Sequence, residues 1–243
     1  MKKAFFTIVI LAANWCNAQM KVNTVNTPLL SLSSAMVYRS NTSILPSLSG
    51  GALTLTSESG GYESKAAIFT QKINPTGNWW LGFTYTPSGA RAGDGMSVVI
   101  HNDSRGTSAV GGCGGYLGVG TVNCSYGSPI SPAINFNMNL YTGAGNVGVS
   151  LGTNGSVGGY VTTGSVAINS GNPIDVLMKY NAPTNELTVT LRDAVTDASW
   201  TSTYTVNLST VVGSSAYLAF TSGTGAATVT QTITKVYYRG ARG

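Results

Sequence analysis

The chain has 243 residues, a formal net charge of +5, 9% charged residues, 31 glycines and a single histidine. Its cations are few and scattered, which excludes the clustered Lys and Arg that counterion-driven nucleic-acid binding needs. No apolar run approaches the roughly 20 residues of a membrane-spanning helix, so no membrane span is expected.

The chain opens with Met1-Lys2-Lys3, an apolar run from Ala4 to Ala13 and small residues before a cut after Ala18. This reads as a secretory signal over residues 1–18, leaving 19–243 as one exported domain, secreted or held in the periplasm or at the cell surface. Losing Lys2 and Lys3 takes the formal charge from +5 to +3. Cys16 leaves with the signal, and Asn14 and Trp15 before it argue against its serving as a lipid-attachment site. Cys113 and Cys124 remain, an even pair in an oxidising compartment, and are expected to be bonded.

Period-two alternation and turn residues give the strands in order. Leu29 to Thr56 holds short edge strands such as Ala52-Leu53-Thr54-Leu55-Thr56. Lys65 to Thr70 and Trp79 to Thr86 follow, the second aromatic and β-branched and closed by Pro87. Gly95 to Ile100 reads as a buried strand. Pro132 to Tyr141 is the most regular, with Ile134, Phe136, Met138 and Leu140 on the core side and Asn135, Asn137, Asn139 and Tyr141 on the other. Strands are then expected at Val147–Leu151, Val157–Ile168, Ile174–Tyr180, Leu187–Arg192, Tyr204–Leu208, Ala216–Thr221 and Thr228–Tyr238, with no helix. So many short strands imply an all-β sandwich of jelly-roll type.

Five blocks carry a resemblance. They are Trp79-Trp80-Leu81-Gly82-Phe83-Thr84-Tyr85, then Gly93-Asp94-Gly95 running through Met96 to Gly106, then Gly114-Gly115-Tyr116-Leu117-Gly118, Leu187 to Leu191, and Ala216 to Thr221. In that order the sequence resembles the legume-type (L-type) lectins in their bacterial secreted form, from about Leu53 to Tyr238. The resemblance implies a concanavalin A-like jelly-roll β-sandwich in a single domain, no enzymatic activity, and a carbohydrate partner held by loops at one end.

By that resemblance Asp94 accepts from two sugar hydroxyls and the N–H of Gly115 donates to one of them. A charged acceptor makes the stronger kind of hydrogen bond, and glycine lets a ligand approach the backbone. Thr224 and Gly225 match a loop that lines the family's sugar site. Tyr116 either stacks on a pyranose or belongs to the core. Read without the family, Asp94 is a turn acid and Thr224-Gly225 a hairpin turn.

The departure is at the regular strand. Plant members carry a Glu and an Asp two apart there, which bind calcium and a transition metal; here that pair falls on Asn135 and Asn137 or on Asn137 and Asn139, amides in either register. Calcium would find only neutral oxygens at Asn137 and Asn139, so no metal is assigned and any calcium is expected to be weakly held. Asn139, or alternatively Gly143 or Asn146, stands for the family's sugar-binding Asn; otherwise the three amides form a ladder that is solvated or bonded to itself. Two further readings remain. One is a surface adhesion or matrix protein that keeps the sandwich and binds protein. The other is a glycoside hydrolase, disfavoured because the strand offers amides where paired carboxyls are needed. The sequence sets neither the sugar nor the oligomeric state.

Overall fold

The structure, a computed structural model, describes residues 29–89, 92–144 and 146–243. The signal expected over 1–18 lies outside the described residues. In chain order the strands are β1 (Leu30–Ser31), β2 (Met36–Ser40), β3 (Ser47–Ser49), β4 (Ala52–Thr56), β5 (Ser64–Phe69), β6 (Ile73–Asn74) and β7 (Trp79–Ser88). There follow β8 (Gly95–His101), β9 (Ala133–Asn139), β10 (Gly148–Thr153), β11 (Ile174–Asn181) and β12 (Glu186–Asp193). The last are β13 (Ser199–Thr205), β14 (Tyr217–Gly223), β15 (Thr230–Arg239) and β16 (Ala241–Arg242), and among the described residues one short α-helix, α1 (Leu208–Val212), follows β13.

Two antiparallel sheets face each other. One runs β13-β12-β11-β7-β15-β4-β3 with β1 paired onto β15, the other β10-β9-β8-β14-β5-β2, and β16 pairs with β6 separately. Alternation decides what lies between them. On β9, Ile134, Phe136 and Met138 enter the core, followed by Leu140, and on β12 Leu187, Val189 and Leu191 do the same. Phe220 of β14 lies near the centre, edge-on to Phe83 at 5.2 Å and to Phe69 at 6.3 Å between ring centroids. Among the described residues no helix is long and apolar enough to cross a membrane.

The second face of the six-stranded sheet is buried too. The connection from β8 to β9 folds over it, packing Val110, Leu117, Val119 and Ile130 on Ala66, Ile68, Val99 and Ala219. Arg105 secures this cover: its guanidinium donates to both carboxylate oxygens of Asp103, to the carbonyls of Val110 and Pro129, and to the Ser128 hydroxyl. A rigid planar fork can serve that many acceptors. These bonds hold the Asp103 carboxyl down at about 2 despite the opposing effect of burial. The cover matters because it carries Gly114 and Gly115.

Two expectations are corrected. Val157–Ile168 is no strand: only Val161 makes a bridge, to Val149, and Gly158, Gly159 and Gly164 at positive φ turn the chain repeatedly. Tyr204–Leu208 is likewise not one strand, because β13 ends at Thr205 and a five-residue helix begins at Leu208. Asn207 caps it by accepting the Thr210 N–H, and Leu208 and Val212, one turn apart, are buried together.

Replacing Phe220 by Ala would leave a cavity where three aromatic rings meet, a loss of about 3–5 kcal/mol for Phe→Ala in a core that cannot collapse. Urea unfolding should show it; a loss below about 1 kcal/mol would mean the sheets close around the gap.

Candidate functional site

The loops preceding β8, covering the six-stranded sheet and following β14 meet at one end of the sandwich. Asp94 is fixed by its backbone, its N–H donating to the Gly223 carbonyl at 3.1 Å and its carbonyl accepting the Leu140 N–H at 2.8 Å. The Gly93–Asp94 peptide is cis. The side chain is 5% exposed, and its Oδ2 has no partner among the described residues. Burial raises the carboxyl to about 6, while the facing backbone N–H of Gly225 acts in the opposite sense.

Glycines make room around that oxygen. A Cβ on Gly225 would sit 3.1 Å from Oδ2, and one on Gly114 3.7 Å from it. Gly114 is also at φ 63°, and its N–H donates to the Thr224 carbonyl, which ties the second loop to the third. Gly115 follows, half-buried, in a short 3-10 turn. Its N–H donates to no carbonyl among the described residues. Cys113 and Cys124 are bonded, with Cα atoms 6.0 Å apart, and close the loop that contains Gly115.

Thr224 turns away from the carboxylate. Its hydroxyl accepts the Glu63 N–H at 2.9 Å and donates to the Gly60 carbonyl at 2.8 Å. It therefore positions Gly225, whose carbonyl accepts the Tyr62 N–H. Asn139 lies in register opposite Gly95, fully buried. Its Nδ2 donates to the carbonyls of Tyr141 and Asn146, and its Oδ1 accepts the Tyr141 N–H. So Asn139 folds the turn that follows it. Gly225 and Gly114, with Gly115 next in the chain, are brought to Asp94, whereas the polar groups of Thr224 and Asn139 brace the loops.

The amides of β9 form a buried ladder. Asn135 donates to Asn137 Oδ1, which also accepts from Ser97, and Asn137 donates to Ser150. A calcium and transition-metal pair does not fit this donor set. The oxygens of Asn137 and Asn139 are already accepting, Asp94 is the one carboxylate at the site, and no cluster of three His, Cys, Asp or Glu occurs among the described residues. His101 lies at the opposite end of β8, buried beside Tyr217, and burial lowers its imidazole to about 4. No acid and base face each other across the site.

One aromatic stands just past the end of β9, on the polar side of its alternation. Tyr141 is 39% exposed and lines a recess of about 480 Å³ together with Ala92, Leu140, Thr142, Asn169, Ala226 and Ala227. The recess opens beside Gly93, where a Cβ would come within 2.5 Å of Ala227 and 3.5 Å of Tyr141. Tyr116, by contrast, is half-buried and packs over Gly120. The available signal was an aromatic closing a run of amides just before a Thr-Gly turn. Tyr160 also approaches Asp94: its phenol is raised to about 12, first by burial and further by the Asp94 charge, against the backbone of Gly158.

The loops are joined by their own hydrogen bonds and the donor set does not suit a metal pair, so the melting temperature should be the same in chelator and in millimolar calcium. A calcium-dependent rise of several degrees would show that loop oxygens complete a cation site.

The family model of the legume lectin domain matches residues 33–241. No curated protein matches by sequence. Among solved structures, the metal-free form of lectin I-B4 from Griffonia simplicifolia superposes with a TM-score of 0.68 at 14% identity, over 84% of this chain and 92% of that one. A Bauhinia forficata lectin in complex with GalNAc gives 0.68 at 15% identity, over 87% and 94%. Arcelin-5, a lectin-like defence protein from Phaseolus vulgaris, gives 0.68 at 16%, over 85% and 92%. At such identities the structures establish the fold, and the family match over most of the sequence establishes the kinship: the chain belongs to the legume lectin family.

Proposed function

We propose that the protein is an exported lectin that holds a sugar over Asp94, with the Gly115 N–H as donor and Tyr141 as a stacking face. The observation that carries this reading is the Asp94 carboxylate, almost fully buried with one oxygen unpartnered. An isolated buried carboxylate is costly unless something donates to it. Vicinal sugar hydroxyls supply such donors, and the glycines leave the backbone open to the ring. Tyr141 on the wall of the adjoining recess can cover the apolar face of a pyranose. The legume lectin match supports carbohydrate binding, and the non-enzymatic character of that family agrees with a site without an acid and base pair. Export is supported by the Cys113–Cys124 bond, which persists in oxidising compartments.

Glycan-array screening followed by calorimetry with the best-bound glycan tests the assignment. Asp94→Asn keeps the shape but removes the charge. Bonds to charged groups are worth about 1.5–3 kcal/mol, so affinity should fall at least about tenfold; wild-type affinity would make Asp94 a turn residue only. Gly115→Val should weaken binding comparably by blocking approach to the backbone, with the melting temperature little changed.

Binding also carries a pH signature. With the carboxyl at about 6, the charged acceptor is lost as pH falls through 6, so affinity should decline from pH 7.5 to pH 5. Stability moves the opposite way. A folded-state value above the ordinary 3.8 means that the folded chain holds this proton more tightly, so the Asp94 contribution is fully present below about 4 and lost as pH rises through 6. In Asp94→Asn both slopes should flatten; an unchanged affinity slope would assign it to another group.

A further inference from the structure

Tyr62 is 60% exposed and sits at φ 57°, a left-handed conformation uncommon for a bulky residue. Two backbone contacts place it at the site. Its N–H donates to the carbonyl of Gly225, the residue against Asp94 Oδ2, and a Cβ on the preceding Gly61 would lie 3.3 Å from that same carbonyl. The Asn41 side chain donates to the Tyr62 carbonyl at 2.8 Å, so the turn is held from both sides. Beside Gly225, Gly114 lies against Asn123, which shares a tight turn with Tyr126. Tyr126 is 36% exposed and Val122, beside Asn123, 55%. Large apolar side chains therefore stand out to solvent on separate loops around one polar centre.

Resting on the sugar-binding reading above, we propose that the site is extended: Tyr62 stacks on the unit next to the one held at Asp94, and the ligand is a linear oligosaccharide of at least two units. Two observations favour this. Tyr62 is largely exposed while the turn that carries it is hydrogen-bonded, so a left-handed backbone is maintained at an exposed aromatic residue. The Tyr62 backbone is also tied directly to Gly225, a residue outside the lining of the recess that holds Tyr141. A single pyranose resting on Tyr141 leaves Tyr62 to its neighbour. An aromatic face suits this task, because stacking tolerates whichever hydroxyls the second unit bears.

The test is an array displaying glucose, galactose, mannose, fucose and N-acetylgalactosamine, each as monosaccharide and as linear oligomers of two to six units. It is probed with the full chain and with Tyr62→Gly, Tyr62→Phe and Asp94→Asn. The wild type should prefer dimers and longer oligomers over the matching monosaccharide by between about twofold and tenfold, the range that an aromatic contact supplies. Tyr62→Phe should keep that preference. Tyr62→Gly should lose it while its monosaccharide signal and melting temperature are preserved or raised, since glycine is at ease at this φ. Equal binding of monomers and oligomers by the wild type, or an undiminished preference in Tyr62→Gly, overturns the extended site and leaves the Asp94 site standing. Full binding by Asp94→Asn, or no binding to any sugar on the array, overturns the sugar-binding reading and this inference with it.

Discussion

The site depends on main chain approaching main chain more closely than any side chain permits. A Cβ at Gly223 would lie 2.4 Å from the Gly114 carbonyl oxygen, and one at Gly118 2.6 Å from that of Ser222. Contacts so short essentially require glycine. They let the loop over the six-stranded sheet settle against the end of β14, and that in turn brings Gly114 and Gly225 together against Oδ2 of Asp94. The acid is thereby buried, and burial raises its carboxyl value against the lowering effect of the Gly225 N–H. Packing of backbone thus sets the electrostatics.

The amides of β9 show a different solution to loop support. A carboxylate pair there would need a cation to offset its charge in a dry environment; neutral amides are donors and acceptors at once and can satisfy one another. Ser97, Asn137 and Ser150 do so across three adjacent strands, while Asn135 donates to Asn137 and to the Ser156 carbonyl and its Oδ1 has no partner among the described residues. Asn139 then continues into the turn leading to Tyr141. Each bond contributes only about 1 kcal/mol net, yet an unpaired member would cost as much or more, so the ladder specifies a register that charge and metal would otherwise impose.

Much of this was legible in the sequence where a physical period or a covalent rule applies. Ile134, Phe136, Met138 and Leu140 announce their face by alternation, and Cys113 with Cys124 by number and setting. The glycine-flanked Asp94 and the Gly114-Gly115 turn could be marked as neighbours through the lectin resemblance. What stayed hidden was direction. Nothing local tells whether the Thr224 hydroxyl faces a ligand or the Glu63 N–H, since both need the same residue in the same turn. The Asn139 amide poses the same ambiguity, resolved only by where Tyr141 and Asn146 come to lie. The helix at Leu208 was masked by β-branched residues, and its signal, Asn207 before an i, i+4 apolar pair, is short. How far Tyr62 and Tyr141 stand out to solvent was not legible, because exposure on a loop is a property of the assembled end.

The Cys113–Cys124 bond has a consequence of location. Neither cysteine belongs to a strand of either sheet, and the cross-link spans only the segment beside Asp94. The aromatic core between the sheets owes nothing to it. A reductant would therefore leave the sandwich in place while the segment beside Asp94 slackens, so a folding assay on reduced material reports on the sheets and is silent about that end of the molecule.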